Sequence, residues 1–201
     1  DGLAGDIVGA LGQRGAVVLV GQRAAATAGL CSAVGRLVDR TGAAVGWVPR
    51  RAGDRGAVEA GLLPSVLPGG RPVADAVARV DTAAIWGVAE VPEAAGRDIP
   101  AMLAAVESRE LSALVVGGVR IDDLPVDAEA ALRATEFLVV LDTHSHALVE
   151  LADVVFPVAA APEKAGTFIN WEGRLRPTSQ AVRTNLMSDA RVLAALAGAL
   201  D

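Results

Sequence analysis

One cysteine, Cys31, occurs in 201 residues, too few for an internal disulfide, a four-thiolate iron–sulfur site or a zinc finger. Any redox centre must therefore lie elsewhere, and Cys31, on a segment with helical apolar spacing, is expected to be inert core. Tyrosine is absent and aromatic residues make up 3% of the chain, which removes the stacking surfaces that single-stranded nucleic acids use. The formal charge is -6 and Arg50-Arg51 is the longest basic run, so phosphate backbones would be repelled and no nucleic-acid partner is expected. Long apolar runs are missing too. Gly15 to Val20 and Phe137 to Leu141 fall far short of the roughly 20 residues a membrane helix needs, and no basic-then-apolar leader opens the chain. The expectation is a soluble chain without direct membrane insertion. Its first residue is Asp1 rather than methionine, which fits an excised piece of a longer polypeptide.

What the chain does have is apolar content, 52%, enough to bury roughly two-thirds of its extended surface in one well-cored domain or two small ones. Ala16 to Val20 is an uninterrupted apolar run ending at Gly21, the pattern of a strand buried on both faces. Leu30, Ala33, Val34, Leu37 and Val38 then recur along one helical face, with Gly42 as a stop. Ala43 to Val48 returns as a strand before Pro49. Arg50 to Pro72 reads mostly as loop, with a short helix near Ala57. Further strands are expected at Thr82 to Trp86, Leu111 to Val116, Phe137 to Leu141 and Asp153 to Val158. Helices are expected after Asp98 (Ile99, Met102, Leu103, Val106), over Asp127 to Ala134 and over Ser145 to Ala152. Alternating strands and helices imply an α/β fold, an open, mostly parallel Rossmann-like sheet with helices on both faces. Gly166 to Arg176 has the character of a β-hairpin around Trp171, Glu172 and Gly173, and a helix capped by Ser188 (Val192, Leu193, Leu196, Leu200) ends the chain.

In such sheets ligands gather beyond the carboxyl ends of the strands, here Gly21, Trp86-Gly87, Gly117-Gly118 and Asp142-Thr143-His144. Gly21-Gln22-Arg23 opens a helix but lacks the second and third glycines of a dinucleotide fingerprint, so a tight turn is the simpler account. Asp142, His144 and His146 are residue types that bind zinc or iron, yet no further ligand lies nearby in sequence and capping roles suit them equally. No Ser/His/Asp or Cys/His arrangement stands out, and neither a catalytic residue nor a metal site is expected.

The run Ala152-Asp-Val-Val-Phe-Pro157, followed by Glu163-Lys164-Ala165-Gly166-Thr167-Phe168-Ile169-Asn170-Trp171-Glu172-Gly173-Arg174, resembles the molybdopterin oxidoreductase family. That family commonly shows Ala-Asp-Val-Val-Leu-Pro, a spacer, then Glu-Lys-x-Gly-Thr-x-x-Asn-x-Glu-Gly-Arg. The segment also makes structural sense by itself: Asp153 caps the start of a strand, Gly166 permits a reversal, Glu163 and Lys164 pair with neighbours, and Gly173 closes a hairpin carrying Arg174. The resemblance extends faintly back through Asp142, Gly117 and Gly56-Ala57 to Gly61, covering most of residues 15–180. It implies one domain, an α/β body over 1–160 completed by a hairpin and helix over 161–201.

Pterin-carrying relatives often have Gly-x-Asn-Pro where this chain reads Gly117-Gly118-Val119-Arg120, and Thr-Glu-Thr where it reads His146-Ala147-Leu148. They commonly carry asparagine at the position of Gly53. These departures resemble the branch of the family found in respiratory complex I, which the resemblance implies kept the fold while losing molybdenum. The resemblance thereby implies a redox-silent scaffold in the peripheral arm of an NADH:quinone oxidoreductase, on the cytoplasmic side of the bacterial inner membrane. Such a scaffold would hold no cofactor itself and would pack against other peripheral-arm subunits and N-terminal domains whose iron–sulfur clusters carry the electrons. The alternative is a fragment of a molybdopterin-dependent oxidoreductase binding part of the pterin at Gly117, Asp142, Gly166, Thr167 and Asn170. A free-standing nucleotide-binding module using Gly21 and Gly117 is a third reading.

Overall fold

A computed structural model of the chain describes residues 2–21, 23–24, 27–49, 53–124, 128–170 and 172–200. Gln22, Arg50, Arg51, Asp127 and Trp171 lie outside the described residues. The chain divides into two compact units, residues 1–57 with 169–174, and residues 58–168 with 175–201.

In the first unit, helix α1 (Gly2–Leu11) precedes strand β1 (Val17–Gly21), helix α2 (Leu30–Thr41) and strand β2 (Ala44–Val48). The expected strand–helix–strand order holds, and β1 and β2 pair in parallel with Leu19 opposite Gly46. Gly42 stops α2 as expected: its φ of 73° is the left-handed conformation glycine adopts freely, and its N–H donates to the Val38 carbonyl. Ala33, Val34, Leu37 and Val38 are half-buried. Cys31 departs from its expected place, because it is exposed rather than core. The physical reason is that α2 contributes no fully buried residue at all, and Cys31 sits in its first turn.

The second unit is built on the parallel strands β5 (Ala113–Gly117), β6 (Phe137–Asp142) and β7 (Val154–Pro157), with β6 central. The unbroken apolar sequence of β6 requires cover on both faces of the sheet, and it receives it. Leu138 and Val140 pack with Ala128 and Leu132 of helix α6 (Ala128–Ala134) and Leu148 of helix α7 (Ala147–Leu151). Val139 and Leu141 point the opposite way, to Val158 and to Val192 of helix α8 (Asp189–Leu200). Helices thus cover both faces of this sheet. Asp153 does cap the start of β7, accepting the Leu138 N–H at 2.7 Å while its own N–H donates to the Leu138 carbonyl at 2.9 Å. Asp98 opens helix α5 (Ile99–Glu107) by accepting the Ala101 N–H at 2.9 Å.

The strand expected at Thr82 to Trp86 is a helix instead, α4 (Ala76–Trp86). Asp75 caps it, its carboxylate accepting the Val77 and Ala78 N–H groups, and Gly87 closes it at φ 68°. Those capping bonds, upstream of the apolar run, decide its conformation, and alanine-rich sequence follows them readily. Trp86-Gly87 therefore ends a helix and is no strand-end ligand position.

Next along the chain after β2 come α3 (Asp54–Glu59), the short helix expected near Ala57, and the two-residue antiparallel pair β3 (Val66–Leu67) and β4 (Arg71–Pro72). Gly61 within this stretch has φ +78°, and a Cβ there would lie 2.6 Å from the Pro68 backbone nitrogen, so both conformation and space demand glycine. The expected C-terminal hairpin is present as β8 (Gly166–Ile169) and β9 (Leu175–Thr178).

Candidate functional site

The carboxyl end of the β5–β6–β7 sheet brings Gly117 and Asp142 together. Gly117 stands opposite Leu141 in register, and the next residue, Gly118 (φ 63°), donates its N–H to the Leu141 carbonyl at 3.0 Å. Asp142 follows Leu141 and organises the turn beyond β6. One carboxylate oxygen accepts the N–H groups of Thr143 (2.6 Å) and His144 (3.2 Å), and the other lies 3.1 Å from Nε2 of His146. Both side chains of this pair are close to buried, at 11% and 10% exposure for Asp142 and His146. Burial alone would raise the Asp142 pKa, but the hydrogen bonds from His146, His144 and Thr143 outweigh it and hold the carboxyl below its ordinary 3.8. His144 turns away, its Nδ1 sharing a hydrogen bond with the Thr143 hydroxyl at 2.7 Å. A depression of about 210 Å³ opens beside these residues, floored by Val149, Val155 and Pro157. Among the described residues no three His, Cys, Asp or Glu side chains are grouped to hold a metal ion.

The Glu163 to Arg174 motif falls into three structural parts. Glu163 closes a short 3-10 turn by accepting the Ala160 N–H at 2.8 Å, and Lys164 pairs with Asp189 in the first turn of α8. Gly166 and Thr167 lie on β8, where the Gly166 carbonyl accepts the Thr178 hydroxyl at 3.2 Å. Gly166 is extended, not the reversal point expected of it; the positive φ falls at Gly173, +81°. Asn170 builds that turn. Its side-chain oxygen accepts the N–H groups of Glu172 (3.1 Å) and Arg174 (2.9 Å), and its amide donates to the Glu172 carboxylate at 3.1 Å. Glu172 in turn meets Arg174 at 3.5 Å.

Of the five residues considered for pterin contact, Gly117 and Asp142 share one sheet end. Gly166 and Thr167 share β8, and Asn170 belongs to the turn. Among the described residues no hydrogen bond links the Gly117–Asp142 pair to Gly166 or Thr167. Sequence reasoning missed Asp189 as the partner of Lys164, an acidic residue one position after the expected cap.

Parallel strands joined by helices, with polar turns at their carboxyl ends, define an open α/β domain of the class that places ligands at strand ends. The chain belongs to the molybdopterin oxidoreductase family, whose model, Molybdopterin oxidoreductase, matches residues 13–198. It is 52% identical over 202 residues to the G subunit of the NADH-quinone oxidoreductase of Mycobacterium bovis, covering 98% of this chain and 25% of that protein. The protein of the same name from Streptomyces coelicolor is 48% identical over 200 residues, covering 96% and 24%. The NADPH-Fe(3+) oxidoreductase subunit alpha of Geobacter sulfurreducens is 31% identical over 140 residues, covering 68% and 16%. The chain thus spans about a quarter of the length of its mycobacterial and streptomycete relatives.

Proposed function

We propose that this chain is a redox-silent scaffold segment of the peripheral arm of an NADH:quinone oxidoreductase, on the cytoplasmic side of a bacterial inner membrane. Electrons would pass from NADH to quinone through iron–sulfur clusters carried elsewhere, in other domains of a parent polypeptide and in neighbouring subunits. The observation that carries this reading is the identity of about half the residues, along nearly the whole chain, with proteins named as the G subunit of an NADH-quinone oxidoreductase. No described helix is long and apolar enough to cross a membrane, in keeping with a peripheral place.

The polar groups at the family's motif positions do not fit a pterin well. Asp142 spends its carboxylate on two amides and a histidine of its own loop, and Asn170 spends its carboxamide on its own turn. A ligand would have to displace those bonds and leave partly buried groups unpaired. The segments where relatives often offer Asn-Pro and Thr-Glu-Thr read Val119-Arg120 and His146-Ala147-Leu148 here. No catalytic residue and no reaction step is assigned.

The second reading, a fragment of a molybdopterin-dependent oxidoreductase, draws on the family match and on Gly117 and Asp142 sharing one sheet end. Metal analysis separates the two. The chain, recovered in its native assembly, is expected to accompany NADH-oxidising activity and to carry no molybdenum of its own. One molybdenum per chain, lost on replacing Asp142, would establish the second reading.

A further inference from the structure

We draw no further inference here: the strongest candidate, the apolar cleft of about 190 Å³ lined by Met102 and Leu103 of α5, Leu114 and Val116 of β5 and Leu132 of α6, is open beside the exposed Ile99 and Val115, and nothing in the structure shows what covers it.

Discussion

Asp142 and Asn170 occupy positions that the family resemblance singles out, and both are spent on backbone and side-chain groups of their own loop or turn. For Asp142 this has a pH consequence. Its carboxyl is held below the ordinary 3.8, and a depressed carboxylate contributes stability that is fully present above the unfolded-state pKa and lost as pH falls through the folded one. The contribution of Asp142 should therefore be constant down to about pH 5 and disappear below 3.8. Denaturant midpoints of the wild type and Asp142→Asn, compared from pH 7 to 2.5, are expected to converge only at the acid end. A constant difference across that range would mean that the hydrogen bonds observed at Asp142 do not favour its charged form. Asn170→Ala removes two accepted N–H bonds and should cost about 1–2 kcal/mol, read as faster proteolysis within 170–174. Thr82 is the reverse case: it is 1% exposed and its hydroxyl has no hydrogen-bond partner among the described residues. Thr82→Val, which keeps the shape and removes the stranded hydroxyl, is expected to stabilise the chain by about 1 kcal/mol and raise its melting temperature.

At the scale of elements, legibility follows the clarity of the local signal. The strands β1, β2, β5, β6 and β7 are short apolar runs bounded by Gly, Pro or Asp, and each lies within two residues of where the run places it. Helix α5 announces itself through Asp98, and the hairpin through Glu172 and Gly173. Helix α4 is mistaken for a strand because Thr82-Ala-Ala-Ile-Trp86 is compatible with either structure, and the deciding information sits upstream at Asp75. Helix α1 gives no charge signal in its first or last turn and escapes detection, as does the β3–β4 pair, whose two-residue strands are too short to show a period. The candidate site is legible at Asp142, whose bonding to loop amides follows from an acidic residue at a strand end. The partnership of Lys164 with Asp189 is not, since the two are 25 residues apart. Gly61 offers a direct test of the tight β3–β4 region. Gly61→Ala must hold an unfavourable φ and push against the Leu67–Pro68 backbone, so it should cost about 1–3 kcal/mol or more, whereas Ala at the unobstructed, negative-φ Gly5 should be tolerated.

Over the whole molecule, the balance between exposed apolar surface and net charge governs how the isolated chain behaves. Leu19, Leu62 and Ile85 are exposed at 71%, 73% and 81%, and exposed residues of this kind add apolar area that association between copies can bury. At neutral pH the charge of -6 keeps copies apart. Near the isoelectric point of about 5.0 that repulsion vanishes while the apolar area is unchanged. The isolated chain is therefore expected to self-associate reversibly as pH falls from 7 to 5, seen as rising light scattering that reverses on returning to neutral pH. Leu19→Gln with Ile85→Gln removes apolar area without altering charge, so the double variant should scatter less at pH 5 while its isoelectric point stays put. If charge alone set the behaviour, wild type and variant would scatter alike at pH 5.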